Sequence, residues 1–173
     1  MANPKTVAPA EIHAAIGRLA AAIAGRRDQH GRLLLLGIAN GGIVLAQRLA
    51  AALAARAGVL DISFHRDDIG RHPIPKEVTP TLVPGDIQGA GVVLVDDVLF
   101  TGRTVKAALD ELFDHGRPAW VELAVLVDRG GRRLPVAADY VGLRLAAEEG
   151  EKVIVTLDKE APSRDKITVT RRK

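Results

Sequence analysis

The sequence contains no cysteine and has little aromatic content: three Phe, one Trp and one Tyr in 173 residues. Without thiols, a disulfide scaffold, a thiolate zinc site and a cysteine nucleophile are excluded. With so few rings, the core has to be built from Leu, Val, Ile and Ala. A composition that is 47% hydrophobic and 26% charged is that of an ordinary globular chain. Long hydrophobic runs are missing too. Stretches such as Leu33–Leu36 fall far short of the roughly 20 residues that cross a bilayer. No charged-then-apolar leader opens the chain. A cytoplasmic location with no membrane partner is expected. The histidines His13, His30, His65, His72 and His115 have no metal-ligand spacing and read as surface or capping residues. The net charge of +3 leans toward anionic partners. A basic tail explains it as well.

Hydrophobic periodicity supplies the outline. Residues 1–9 have two prolines and little pattern, and are expected as a loose arm. Ile12, Ile16, Leu19 and Ile23 recur at helical spacing. Residues 32–38 form a continuous apolar run, the pattern of a strand buried on both faces. Ala39–Gly42 reads as a turn, and Leu45, Leu49 and Leu53 mark a second helix. Val59–His65 predicts a strand. Residues 67–86 are charged and proline-rich, and are expected to be a flap. Gly91–Val95 is a buried strand, Val105–Phe113 a helix and Trp120–Val127 another strand. Residues 128–146 are irregular, Lys152–Leu157 predicts a last strand, and 163–173 form a basic tail. Alternating strands and helices give an α/β fold with a largely parallel central sheet, in one domain spanning residues 1–173.

Chemistry concentrates in Val92–Thr104, VVLVDDVLFTGRT. A buried strand delivers Asp96 and Asp97 to its carboxyl end, where parallel sheets bind ligands. A short loop, Val98-Leu99-Phe100, leads to Thr101-Gly102-Arg103-Thr104, which opens a helix. Backbone N–H groups at that helix start favour an anion. Carboxylates beside a phosphate cradle suit a ribose 5-phosphate, with hydroxyls on the acids and phosphate on the cradle. Other phosphate motifs fail. The segment lacks the glycine and lysine of a P-loop, and Gly37, Gly41 and Gly42 lack dinucleotide-fingerprint spacing.

This segment resembles the donor-binding signature of the type I phosphoribosyltransferases. Further runs extend the likeness: Asp114–Ala119, Leu123–Gly130, Leu134–Gly142, and Phe64-His65-Arg66-Asp67-Asp68 set against a Y-R-D-D pattern. Together they resemble the bacterial pyrimidine-operon attenuation regulators that also have uracil phosphoribosyltransferase activity. The resemblance implies the type I fold with a flap and a small hood. It implies uracil and 5-phosphoribosyl 1-diphosphate (PRPP) as substrates, UMP as product, and Mg2+ arriving with PRPP rather than on protein ligands. By it, Asp96 and Asp97 hold the ribose hydroxyls, and Thr101–Thr104 hold the 5-phosphate. Asn40, Gly41 and Gly42 lie under the diphosphate, and Val127, Asp128 and Arg129 belong to the hood that reads the base, within 128–146. Arg71 and Lys76 are the expected flap cations for the leaving group; solvated loop charges fit them equally. Phe100 stands where purine-handling relatives place an acid, and so favours a pyrimidine. A homodimer or higher homo-oligomer is implied.

Two departures bear on function. The diphosphate loop of many relatives carries Lys-Thr-Arg-Gly, and this chain has Ala39-Asn40-Gly41-Gly42. Losing that arginine removes a charge-assisted hydrogen bond of ~1.5–3 kcal/mol. The basic surface that binds a messenger-RNA leader is also thinned, with Gly131, Ala137 and Leu143 at positions where basic residues or histidine are common. Arg18, Arg26, Arg27, Arg32, Arg132, Arg133 and Arg144 remain for phosphate contacts. A solvated basic face accounts for them as well. The sequence thus supports an enzyme, and alternatively a nucleotide-sensing RNA-binding attenuator with little catalysis.

Overall fold

The computed structural model describes residues 5–26, 32–65 and 79–171. Five strands make a wholly parallel sheet: β2 (Leu33–Ile38), β3 (Arg56–Leu60), β4 (Gly91–Leu99), β5 (Trp120–Asp128) and β6 (Tyr140–Arg144). Their spatial order is β3-β2-β4-β5-β6. Strand residues alternate between two cores. Leu35, Val93, Val95, Ala124 and Leu126 pack with helices α1 (Pro9–Ala24) and α2 (Ala39–Leu53). Leu34, Leu36, Val92, Leu94 and Val125 pack with α3 (Arg103–Asp114). Covering both faces is what a parallel sheet requires, and it explains the unbroken apolar runs in the sequence.

The connections set the place of the site. β2 passes through α2 to β3 on one side, and β4 passes through α3 to β5 on the other. Strand order therefore reverses between β2 and β4, opening a crevice beyond their carboxyl ends. Those ends are Ile38, followed at once by the first turn of α2, and Asp96–Leu99.

Several sequence expectations change. Ala39–Gly42 is the first turn of α2 rather than a separate turn, entered through Ala39 at φ +46°. The strand expected over 59–65 spans 56–60, and residues 63–65 form a turn. Residues 66–78, which hold Arg71, Lys76 and most of the expected flap, lie outside the described residues. Within 128–146, Tyr140–Arg144 is the fifth strand of the main sheet, not part of a hood. The small separate sheet is built instead from the two ends of the chain: β1 (Lys5–Val7), β8 (Lys166–Arg171) and β7 (Glu151–Thr156), antiparallel in the order β1-β8-β7. The arm and the tail each look patternless alone because strands this short gain their hydrogen bonds from one another. No helix among the described residues is long and apolar enough to cross a membrane.

One buried carboxylate fastens this small sheet to the helices. Asp165 ends the short 3-10 turn Pro162–Arg164 and is 2% exposed. It accepts two hydrogen bonds from the Arg48 guanidinium at 2.5 and 3.0 Å, one from the Asp158 N–H at 2.9 Å, and a contact with His13 Nε2 at 3.1 Å. Burial pushes this carboxyl up. The Arg48 and Asp158 hydrogen bonds and the Arg48 charge outweigh it and hold the group below the ordinary carboxylate range. Its contribution is therefore present above the ordinary Asp range and is lost as pH falls through the lowered value. Asp165→Asn should cost about 3 kcal/mol by leaving Arg48 without its charge partner. Urea unfolding at pH 7 measures this, and equal midpoints for the two proteins would contradict it.

Candidate functional site

Why Asp96 and Asp97 are held where they are follows from strand register and two close approaches. β4 continues past Val95, pairing Asp96 with Val125 and Val98 with Val127, so both acids are strand residues rather than loop residues. Asp96 is 5% exposed. Its Oδ1 accepts the Asp97 N–H at 2.9 Å, which sets the neighbouring backbone. Asp97 turns toward the first turn of α2. A Cβ added to Gly41 would lie 2.7 Å from the Asp97 carboxylate, and one added to Gly42 would lie 2.1 Å from the Val95 carbonyl oxygen. At position 42 only a residue without a side chain permits this packing of α2 on β4, and at position 41 a side chain would make the Asp97 carboxylate shift.

The segment read from the sequence as an anion cradle is the start of α3. Gly102 initiates α3 at φ +93° with no side chain of its own to cap it, and no acid stands in the first turn. The Thr101 hydroxyl oxygen accepts the Arg103 N–H at 3.3 Å. Arg103 and Thr104 are exposed. The loop after β5 straps this turn down: the Arg133 and Leu134 N–H groups donate to the Thr101 carbonyl at 3.0 and 3.1 Å.

A cleft of about 870 Å³ opens beside these elements. Asp97, Val98 and Phe100 form one wall, Arg129, Gly131, Arg132 and Arg133 another, and β7 with the turn before it a third. The Phe100 ring lies under the Arg129 guanidinium, 3.9 Å from its carbon to the ring centroid. Arg129 donates to the Glu151 carbonyl at 2.9 Å, and its Nε is buried without a hydrogen-bond partner. Burial, then the charge of Asp97, pushes the Asp96 carboxyl well above its ordinary range. Burial also raises Asp97, while hydrogen bonds from Asp96 and the backbone and, least, the charge of Lys152 pull it back. The pair is thus uncomfortable as two bare anions. Hydroxyl donors delivered by a ligand would relieve it.

The sequence-derived candidates divide by position. Gly41 and Gly42, with Asn40 in the same turn of α2, lie against β4 at Asp97 and Val95. Leu99 and Val127 are wholly buried, so any part they play is through the backbone. Asp128 receives the Gly130 N–H at 2.9 Å and pairs with Arg132 at 2.7 Å. Arg132 also donates to the carbonyls of Phe100 at 2.8 Å and Val136 at 3.1 Å, so it braces the loop instead of facing solvent. Arg133 is exposed on the cleft wall. Arg18 and Arg26 lie beside β6: Arg18 donates to the Gly142 carbonyl, and Arg26 pairs with Glu122 at 2.6 Å over the Tyr140 ring. Arg27 lies outside the described residues. The β7 wall, including Lys152, was not predicted. No local spacing announces a strand that reaches the site from more than fifty residues away.

Comparisons with known proteins bear on the family and the fold. A family model described as "Phosphoribosyl transferase domain" matches residues 9–159. Relatives named "Bifunctional protein PyrR" include one from Corynebacterium efficiens, 51% identical over 81% of this chain and 76% of its own. Another, from Chloroflexus aurantiacus, is 46% identical over 99% of this chain and 97% of its own. Among solved structures, the hypoxanthine phosphoribosyltransferase of Trypanosoma cruzi superposes with a TM-score of 0.69 at 24% identity, over 96% of this chain and 95% of that one. At that identity the likeness is one of fold alone.

A consequence for stability follows. With its folded pKa raised, Asp96 leaves the native state holding an extra proton between the ordinary Asp range and the raised value. Stability contributed by the protonated form is lost as pH rises through that window. Asp96→Asn should therefore melt higher than the parent at pH 7.5, by roughly 2–4 °C per kcal/mol relieved. The gap should close toward pH 4. Thermal unfolding at both pH values checks this; a variant that melts lower at pH 7.5 would count against a strained buried acid.

Proposed function

From the premise that this chain belongs to the phosphoribosyltransferase family, we propose that it transfers the phosphoribosyl group of PRPP to uracil, giving UMP and diphosphate. The observation that carries the reading is the packing of Gly41 and Gly42, in the first turn of α2, against the end of β4 that holds the buried Asp96 and the half-buried Asp97 and leads directly to the start of α3. Asp97 accepts the ribose hydroxyls, and Asp96 holds it in place through the Asp97 N–H. The first turn of α3 and the Thr101 and Thr104 hydroxyls take the 5-phosphate. The first turn of α2, at Asn40–Gly42, lies beneath the diphosphate. Uracil N1 bonds to the sugar C1, the bond from C1 to diphosphate oxygen breaks, and the N1 proton departs. Positive charge grows on the ribose ring beside the two carboxylates, where it is stabilised.

Magnesium carried on PRPP supplies charge neutralisation for the leaving diphosphate. The residues fit such a donor, because Gly41 leaves the space over Asp97 free of any side chain. Arg71 and Lys76 are proposed to add positive charge at the diphosphate. Phe100 supports a pyrimidine acceptor: it offers no carboxylate to exchange a proton with a purine ring nitrogen. Its ring, backed by Arg129, gives an apolar edge to the base site.

A second activity, binding of a messenger-RNA leader to regulate pyrimidine genes, is supported by a row of arginines. Arg18, Arg26 and Arg144 line the outer strand β6. Phosphate contacts from such a row need charge more than geometry. We also propose self-association in solution and a cytoplasmic setting.

Turnover with uracil, and none with orotate or hypoxanthine, is the expected result of a UMP-formation assay with PRPP and magnesium. Asp97→Asn should lower that turnover by about tenfold or more with an unchanged melting curve. Turnover with hypoxanthine in place of uracil would overturn the pyrimidine assignment. For the RNA activity, log affinity should fall with log salt at about −0.7 per single-strand phosphate contacted. Equal affinity for leader and random RNA would remove the regulatory reading.

A further inference from the structure

Well away from the cleft, the other half of α3 gathers a second set of polar groups. Glu111, Asp114 and His115 stand at i, i+3 and i+4 and share one face of the helix. His65, from the turn after β3, reaches across to them. Its Nε2 lies 3.1 Å from Glu111 Oε2 and 3.3 Å from Asp114 Oδ2. His115 Nε2 lies 3.0 Å from the other carboxylate oxygen, Glu111 Oε1. The ligand atoms of His65, Glu111 and Asp114 all fall within 4.8 Å of one another. From the start of α3 to Glu111 is about 12 Å along the axis at 1.5 Å per residue. The cluster therefore shares no residue with the proposed PRPP site.

We infer that His65, Glu111 and Asp114, with His115 at their edge, form a binding site for a divalent transition-metal ion of the zinc class. Imidazole and carboxylate ligands hold zinc at about 2.0–2.1 Å. Tetrahedral geometry at that radius sets ligand atoms about 3.3–3.4 Å apart. The two distances from His65 Nε2, at 3.1 and 3.3 Å, are already close to that spacing. Glu111 is also supported from behind: the Thr81 hydroxyl donates to its Oε1 at 2.5 Å, and the Thr81 oxygen in turn accepts the Asp61 N–H at 2.9 Å. Outer hydrogen bonds of this kind orient a metal-binding carboxylate. Among the described residues, Glu111 and Asp114 meet histidines and no lysine or arginine as ion-pair partners. Asp114 is 70% exposed at its side chain, which leaves an entry path for an ion and a place for water to complete the coordination. The bound ion would tie the turn at 63–65 to α3 more firmly than the His65 contacts with Glu111 and Asp114 do alone.

The test uses tag-free full-length protein and Zn(II) alone, with Co(II) as the spectroscopic probe. One zinc per chain should bind at micromolar concentration, measured by competition with a chromophoric chelator, and raise the unfolding midpoint by several degrees. Co(II) should show the intense visible absorption of a four-coordinate site. The double variant His65→Ala, His115→Ala should lose the site, with at least a tenfold drop in affinity and no visible band, while its metal-free melting curve stays close to the parent. Glu111→Gln should weaken binding as well, which covers the case in which the double variant folds poorly. Binding of zinc to the double variant with parental affinity, or a Co(II) spectrum of weak six-coordinate form in the parent, would overturn the assignment. Neither result bears on UMP formation, so the proposal stands or falls separately from the catalytic reading.

Discussion

The close approach of α2 to β4 is the contact on which the site depends. Gly42 sits where any side chain would collide with the Val95 carbonyl, and Gly41 sits where any side chain would collide with the Asp97 carboxylate. Because α2 can come this near, its first turn reaches the carboxyl end of β4 at the point where strand order reverses. The crevice that a doubly wound sheet opens there is then floored by backbone on one side and by two carboxylates on the other. A side chain at position 41 would require the Asp97 carboxylate to shift from its present place.

The loop after β5 completes the arrangement through one internal cation. Arg132 joins the Asp128 carboxylate to the carbonyls of Phe100 and Val136. The strap over Thr101 and Gly102 is thereby fixed, and with it the start of α3. Arg129 lies on Phe100 beside it. Two arginines that look alike in sequence thus do different things. One is spent on structure, and the other faces the cleft with a buried Nε that has no partner. The third, Arg133, stays exposed on the wall.

Much of this was legible from sequence because it is local. The apolar run ending in Asp96 and Asp97, followed by Thr101-Gly102-Arg103-Thr104, encodes strand, acids and helix start in thirteen consecutive residues. The parallel sheet showed in continuous apolar runs, which only double burial explains. What stayed hidden depends on pairing between distant segments. Lys5–Val7 and Lys166–Arg171 have no pattern until they pair with each other. Lys152 reaches the cleft on β7, and the sequence gives no sign of where that strand docks. Tyr140–Arg144 read as part of an irregular hood, since five residues between loops carry too short a pattern to assign to the main sheet. His65 and His115 looked unrelated, being fifty residues apart, yet the fold sets them on opposite oxygens of Glu111.

The central claim is that one crevice holds a ribose 5-phosphate, with its hydroxyls on Asp97 and its phosphate on the first turn of α3. A crystal structure of the protein with UMP tests this most directly. The phosphate should lie within hydrogen-bond distance of backbone N–H groups in Thr101–Thr104, the ribose hydroxyls on Asp97, and the uracil ring beside Phe100. UMP bound elsewhere, or with its phosphate at Asn40–Gly42 and its ribose away from Asp97, would contradict the account.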